Sequence, residues 1–267
     1  MMVAPFTSIL CGVEGDSTST EAVRQAISLA KPGAALHFIA VYTTRRLPQH
    51  SLEELQESLN QAAQLAREAG VSASTELLRD RFAHDLLLRE SQHHDLLVLG
   101  SHNRSRAFSL ALGTTTAKAA HEARHPLLIA RQPPGPGEFP KSIVFASDAS
   151  PGSWAPARVA AGVAALFNSR LETVHVADGT HPERQRSLQA QIAEIGAVTG
   201  EEPLLSEPAG HASQAIIETA RAKGSSLIVS GRRGLRGIRS LGSVSERVVN
   251  RAPCSVLVIP ADQGEPG

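Results

Sequence analysis

Two glycine-bearing stretches have residue types and spacing that could bind phosphate. The clearer one is GRRGLRGIRSLGSVSERVV, whose glycines lead into a predicted helix: Gly231, Gly234, Gly237 and Gly242. Glycine lets the backbone approach an anion closely, and amides at a helix N-terminus donate to it with a favourable dipole. No acidic residue lies between Gly231 and Gly242, whereas four arginines do: Arg232, Arg233, Arg236 and Arg239. These features favour a phosphate-binding loop.

Plainer interpretations of this stretch stay open. Ser243 lies three residues before Glu246 and can cap the predicted helix, so that Gly242 and Ser243 would form only a strand-to-helix turn. Exposed arginines, moreover, commonly form a solvated face.

The corresponding stretch earlier in the chain is GSHNRSRAFSLALGTTTAKAA. It contains Gly100 and Asn103, followed by Gly113 and Thr114 at the start of a predicted helix. Asparagine tolerates left-handed backbone better than most residues, so Asn103 can stand where the other stretch has a glycine.

Other candidate chemistry is less complete. Adjacent residues at a helix end point in different directions, so solvated polar residues explain His93, His94 and Asp95 better than a metal site or charge relay. His121 and His125 have the spacing of two metal ligands, but no carboxylate completes that site. The sequence also lacks a Walker lysine motif, a Rossmann glycine fingerprint, a nucleophile elbow and an identifiable acid–base pair of carboxylates. We therefore expect no catalytic residues.

Length and a linker divide the chain into two domains. A chain of 267 residues suits two cores of ordinary size. Residues 131–141, RQPPGPGEFPK, hold four prolines and two glycines and resist both helix and strand. We predict a first domain over 1–131, a linker over 132–141 and a second domain over 142–267.

The two halves repeat one order of elements. Apolar runs predict strands at 8–10, 36–42, 95–100 and 126–130, and again at 142–144, 171–177, 226–231 and 254–259. Amphipathic helices separate the strands, and one of them opens with the capping box Ser51 to Glu54 and ends at Gly70. Strands that alternate with helices require parallel sheets with right-handed crossovers. Each half is therefore predicted to be a doubly wound, five-stranded α/β sandwich.

Composition predicts a soluble globular protein. Hydrophobic residues make up 42% and charged residues 19%, and no apolar stretch approaches the roughly 20 residues of a membrane span. The formal net charge of zero gives no electrostatic footprint for nucleic acid. The N-terminal residues lack the features of a secretory signal, so we expect a cytoplasmic protein that binds neither membranes nor nucleic acid. Cys11 and Cys254 lie in apolar runs and are expected to be buried and unpaired.

With both glycine-bearing stretches placed after a fourth strand, the chain resembles tandem members of the universal stress protein family. Members that bind ATP have, after that strand, a glycine, two residues, a second glycine, nine residues, and glycine with serine or threonine. They also have an aspartate after strand one. The second half matches except that seven residues separate the last two glycines: Asp148, Gly231, Gly234, Gly242 and Ser243. The first half keeps the nine-residue spacing, with Asn103 for the second glycine and Glu14 for the aspartate.

The resemblance implies a fold like that of adenine nucleotide alpha hydrolases, with ATP bound at the carboxyl ends of the strands, where open α/β sheets bind ligands. Glu14 and Asp148 would face the nucleoside, and the backbone near Val41 and Val176 would face adenine. Mg²⁺ would accompany the phosphates, which the loop residues would hold: Gly100, Asn103, Gly113, Thr114, Gly231, Gly234, Gly242 and Ser243. The last strands of the two halves would pair, covering both edges and making a pseudo-dimer within one chain.

These expectations describe a nucleotide-binding stress or signalling protein, and slow ATP hydrolysis stays open. The alternative is an interaction or scaffold protein of the same fold that has lost the site, which Glu14, Asn103 and the shorter second loop favour. Of the two halves, the second is the expected binder because it keeps the glycines and the aspartate. The sequence leaves open the protein partners and any further homodimer.

Overall fold

The structure is a computed structural model that describes residues 5–15, 17–30, 33–44, 50–101, 112–133, 139–177, 179, 181–232 and 241–260, without the side chains of residues 17 and 18. Contacts divide the chain into two compact units. The first unit is Phe6–Gln132, and the second unit begins at Pro133.

The first unit alternates strands and helices as the repeat predicts. Its strands are β1 (Ser8–Val13), β2 (Ala35–Thr43), β3 (Ala73–Asp80), β4 (Leu96–Gly100) and β5 (Leu127–Ala130). Its helices are α1 (Ser17–Ala30), α2 (Leu52–Glu68), α3 (Ala83–Glu90) and α4 (Thr114–Glu122). All pairings are parallel, in the order β3-β2-β1-β4-β5.

The second unit repeats this plan. Its strands are β6 (Ser142–Ser147), β7 (Arg170–His175), β8 (Leu204–Ser206), β9 (Leu227–Gly231) and β10 (Ser255–Ile259). Its helices are α5 (Trp154–Phe167), α6 (Pro182–Thr199), α7 (Ala212–Ala222) and α8 (Ser243–Arg251). The order β8-β7-β6-β9-β10 is again parallel throughout, so the predicted α/β fold is confirmed in both units.

Helices cover both faces of each sheet. In the first unit α1 packs with α2 and α3 packs with α4, and in the second α5 packs with α6 and α7 with α8. The chain reverses its direction across the sheet between β1 and β4, so right-handed crossovers place the two helix pairs on opposite faces. The strands are therefore buried on both sides, which explains their continuous apolar runs. Fully buried side chains include Ile9, Phe38, Leu97, Leu128 and Phe145.

Local signals in the sequence appear where they were expected. The Ser51 hydroxyl accepts from the Glu54 amide at 3.1 Å, and the Glu54 carboxylate accepts from the Ser51 amide at 2.8 Å, so the capping box is confirmed. Gly70 follows the end of α2 with a φ of 74°, a left-handed conformation that suits glycine. Both cysteines, Cys11 and Cys254, are free and buried. In the part of the chain that the structure describes, no helix has the length and apolar character needed to cross a bilayer.

Candidate functional site

A pocket lies at the carboxyl end of the first unit's sheet, beside the point where the strand order reverses. It has about 420 Å³ of space free of protein atoms, part of which is open to solvent. Its floor comes from the ends of β1, β2 and β4, and its walls come from the first turns of α1, α3 and α4. The lining residues are Gly12, Val13, Glu14, Ser19, Ile39, Val41, Ala83, Leu87, Leu99, Gly100, Thr115 and Thr116. Three predicted site residues thus share one pocket: Glu14, Val41 and Gly100.

Gly12 and Leu99 interlock at the floor of this pocket. A Cβ atom on Gly12 would lie 2.7 Å from the Leu99 Cδ2 atom and 3.4 Å from the Leu87 Cδ1 atom. The missing side chain of Gly12 is therefore what allows the two leucines to close the floor. The result is a lining that is apolar at its base and carries the Glu14 carboxyl and the Thr115 and Thr116 hydroxyls at its edge.

Hydrogen bonds join the helices that form the walls of the pocket to the strand ends that form its floor. The Thr116 hydroxyl donates to the Gly100 carbonyl at 2.8 Å, which holds the first turn of α4 on the end of β4. Gly113 is the N-cap of α4 and Thr114 is its first residue, and the cap makes no side-chain hydrogen bond. Glu14 at the end of β1 donates its amide to the Ser19 hydroxyl at 2.8 Å, which fixes the turn into α1.

The second unit has the same kind of hydrogen bond between a hydroxyl in the first turn of a helix and the carbonyl at the end of the preceding strand, which we call the clamp. The Ser245 hydroxyl donates to the Gly231 carbonyl at 2.7 Å, as Thr116 does to Gly100 in the first unit. The sequence contains the signal for this pair, because GTTT and GSVS both place a hydroxyl three residues after the glycine. The polar role was expected instead at the residue immediately after the glycine.

The prediction that Ser243 caps α8 is wrong. Gly242 is the N-cap and Ser243 is the first helical residue, with no side-chain cap. The glycine takes the cap position because its amide donates to the Arg232 carbonyl at 2.9 Å, which closes the base of the loop between them. Arg232 is 6% exposed and donates its own amide to Ile259 at 2.8 Å, so it does not belong to a solvated arginine face.

The turn after β6 in the second unit is held by its own side chains. The Asp148 carboxylate accepts from the Ser150 amide at 3.0 Å and from the Ser150 hydroxyl at 2.6 Å. Ala149 has a φ of 57°, an unusual left-handed conformation for a residue with a side chain. It is 2% exposed and packs against Leu188 and Ile192 of α6.

A buried polar network supports this turn from below. Gln191 of α6 is fully buried; it accepts from the Ser147 hydroxyl at 2.8 Å and donates to the Ser153 hydroxyl at 2.9 Å. The His175 imidazole hydrogen-bonds the Ser147 carbonyl at 2.9 Å. Val176 follows β7 immediately. Because buried hydroxyl and amide groups satisfy one another here, α6 is fastened over the end of β6.

Several residues of the proposed phosphate loops lie outside the described part of the chain. These are Asn103 in the first unit, and Gly234, Gly237, Arg233, Arg236 and Arg239 in the second. Their roles remain predictions.

The histidines differ in their surroundings. His93 is exposed, as expected for a solvated helix end, but His94 is partly buried and its Nδ1 atom lies 2.7 Å from the Ser8 hydroxyl. Asp95 is exposed yet accepts from the amides of Thr7 and Ser8, so the expectation of free polar residues is wrong there. Among the described residues, no group of three or more His, Cys, Asp or Glu side chains is placed to hold a metal, and this includes His121 and His125.

Comparisons with known proteins agree with this architecture. The family model "Universal stress protein family" matches residues 5–131 and 140–260. A universal stress protein of Thermus aquaticus is 32% identical over 136 residues, which are 45% of this chain and 98% of that protein. The universal stress protein MJ0531 of Methanocaldococcus jannaschii is 27% identical over 143 residues, which are 48% of this chain and 84% of that protein.

A solved structure extends the likeness to the whole chain. The crystal structure of a universal stress protein from Archaeoglobus fulgidus has a TM-score of 0.79 at 20% identity and covers 95% of this chain and 98% of its own. At 20% identity, this structural likeness shows that the two chains share a fold. Because the family model matches nearly all of both units, the chain belongs to the universal stress protein family and carries two of its domains in tandem.

Proposed function

We propose that the chain binds an adenine nucleotide, ATP or a relative of it, in the pocket of the first unit. The observation that carries this proposal is the convergence of Glu14, Val41 and Gly100 on one pocket. Its position at the switch point of a parallel sheet is where such folds bind ligands.

The lining suits a nucleoside. Ile39, Val41 and Leu99 offer an apolar surface for the flat face of a base. Glu14 supplies a carboxyl at the edge of that surface, where it can accept from ribose hydroxyls. The α4 N-terminus, at Gly113 and Thr114, would present its free amides to phosphate oxygens.

Mg²⁺ would arrive with the phosphates. Magnesium keeps several of its waters and takes few protein ligands in nucleotide sites, so it requires no dedicated cage. Among the described residues that line the pocket, Glu14 carries the carboxyl group.

The first unit is a better candidate than the second, although the motif favours the second. In the second unit the Asp148 carboxylate is engaged by Ser150, and α6 is fastened over the adjacent strand end by Gln191. A nucleoside at this position would have to compete with those contacts. We therefore propose one nucleotide per chain, bound to the first unit, in a protein of stress response or signalling.

The test is calorimetry with ATP and Mg²⁺ on matched variants. Ala83→Phe fills the pocket from the first turn of α3, and Ala212→Phe is the same change at the first residue of α7. We expect a stoichiometry of one for the parent chain, loss of binding in Ala83→Phe and normal binding in Ala212→Phe. Loss confined to Ala212→Phe would assign binding to the second unit. If the parent chain shows no heat of binding, the proposal is wrong. The alternative would then be an interaction or scaffold protein, which Glu14 and Asn103 favour.

A further inference from the structure

A row of titratable side chains crosses the first unit at the amino ends of its strands. This edge of the sheet is opposite the pocket. Each strand contributes at least one polar or titratable group in its first half or just before its start: Glu76 (β3), His37 (β2), Ser8 (β1), His94 and Asp95 (before β4) and His125 (before β5). Because the strands are neighbours in the order β3-β2-β1-β4-β5, the groups lie side by side.

Direct contacts join most of this row. His37 Nε2 lies 3.7 Å from the Glu76 carboxylate, and the rings of His37 and His94 have their centres 5.9 Å apart. His94 Nδ1 lies 2.7 Å from the Ser8 hydroxyl. Asp95 Oδ2 accepts from the amides of Thr7 and Ser8 at 2.9 and 3.1 Å and from the Thr7 hydroxyl.

The second unit provides a comparison within the same chain. The β1–β4 and β6–β9 registers pair Ile9 with Leu96 and Ile143 with Leu227. Ser142, Ser225 and Ser226 therefore occupy the positions of Ser8, His94 and Asp95. They hydrogen-bond one another: the Ser142 amide donates to Ser226 at 3.3 Å, and the Ser142 hydroxyl donates to Ser225 at 3.4 Å. At the position of His37 the second unit has Glu172, which pairs with Lys223 at 3.1 Å, so this edge is charged there too but has no histidine at the positions of His37 and His94.

Protonation is unfavourable at His94. Burial lowers the pKa of this imidazole first, and the charges of His37 and His93 lower it further, while Glu90 and Asp95 act in the opposite direction. The folded unit therefore binds fewer protons at His94 than the unfolded chain does. The contribution of His94 to the stability of the first unit is therefore present above the ordinary pKa range of histidine, and it is lost as the pH falls through that range.

Asp95 acts in a different window. The hydrogen bond from the Thr7 hydroxyl, helped by the amides of Thr7 and Ser8 and by the charge of His125, lowers the pKa of this carboxyl. Its stabilisation is kept above the ordinary aspartate pKa and is lost only as the pH falls through its lowered value.

We propose that this row is an acid-sensitive latch, in which protonation of His94 beside His37 loosens the first unit and leaves the second unit unaffected. Like charges on the two rings, whose centres are 5.9 Å apart across β1, repel, and a protonated imidazole can only donate to the Ser8 hydroxyl. The second unit has Ser225 and Glu172 at the positions of His94 and His37, so we expect no such response there.

The two buried cysteines report each unit separately. Cys11 lies in β1 and Cys254 directly precedes β10, and both are fully buried. A disulfide reagent that remains active in acid, such as 4,4′-dithiodipyridine, reacts with each thiol only when its unit opens, and mass spectrometry quantifies the two sites. The ratio of the Cys11 rate to the Cys254 rate cancels the pH dependence of the reagent.

We expect this ratio to rise by about two- to fivefold between about pH 8 and pH 5.5 in the full chain, the size of effect expected from one like-charged cross-strand pair. His94→Ser should flatten the pH dependence, and His37→Gln should reduce it even if either variant changes the overall rate. His211→Ser, at the exposed N-cap of α7 in the second unit, is the matched control and should leave it unchanged. A ratio that stays constant with pH, or that rises equally in His94→Ser, would overturn the latch.

Discussion

At the scale of single residues, the hydroxyls of Thr116 and Ser245 matter more than the residues beside the glycines. Each donates to the carbonyl at the end of the preceding strand and holds the first turn of a helix against it. The bonded hydroxyl is two positions further along than the residue that the family motif emphasises. Motif spacing identified the region correctly, whereas the bonding partner depends on where the helix starts.

Thr116→Val tests this clamp with little change in shape. The substitution removes the donor to the buried Gly100 carbonyl, so we expect the free energy of unfolding of the first unit to fall by about 1 kcal/mol. Thr114→Val, at the exposed first residue of α4, is the control and should change it much less. Urea titration followed by circular dichroism measures both. Equal effects of the two substitutions would contradict a role for the Thr116 hydrogen bond.

Backbone conformation at Ala149 could not be predicted. Glycine or asparagine is the usual signal for left-handed backbone, and neither stands at position 149. In the second unit, packing against α6 and the hydrogen bond from the Ala149 amide to Ser147 at 3.0 Å impose the conformation on an alanine. Such contacts join distant parts of the chain and leave no local mark in the sequence.

At the scale of elements, α2 shows how far local signals suffice. The capping box and the glycine after its last turn predicted both ends of this helix, and the structure shows its buried face to consist of Leu55, Leu59, Ala62 and Ala66. The opposite case is β8, a three-residue strand with an exposed leucine at position 204, whose short polar run gives no periodicity. Its place at the edge of the sheet follows from the repeat and not from its own residues.

Ser51→Ala should destabilise the first unit through α2. Removing the cap leaves the Glu54 amide without its acceptor, and capping serines are worth about 1 kcal/mol. Ser58→Ala, in the middle of the same helix, is the matched control. Its hydroxyl bonds back to the Glu54 carbonyl, and alanine is a better helix former there, so stability should hold or rise slightly. Denaturant unfolding measures the stability of both variants. If Ser51→Ala has the same free energy of unfolding as the parent chain, the capping box does not contribute to stability.

At the scale of the whole molecule, the internal repeat was the most informative feature of the sequence. It predicted two α/β units and the order of their elements from apolar runs alone. It could not predict how side chains pack around equivalent positions in the two units. In the first unit, Gly12 and Leu99 shape the floor of a pocket. In the second unit, Gln191 and Ala149 hold the turn after β6 against α6.

A ligand that binds one unit should protect that unit alone. With ATP and Mg²⁺ at about 100 times the dissociation constant, opening of the first unit should be suppressed by about 100-fold, or about 2.7 kcal/mol. We therefore expect modification of Cys11 to slow by that factor while modification of Cys254 keeps its rate. Ala83→Phe should abolish the protection. Protection of Cys254 instead would mean that the second unit is the binder, and equal protection of both would show two sites or coupled opening.

The base of the loop after β9 offers a further use. The Gly242 amide bonds to the Arg232 carbonyl, and Arg232 is itself anchored to Ile259, so both ends of the intervening segment are fixed to the sheet. Loop entropy grows only slowly with length once the ends are held together. The segment between these two residues can therefore be exchanged: grafting sequences of other lengths there should leave the second unit folded.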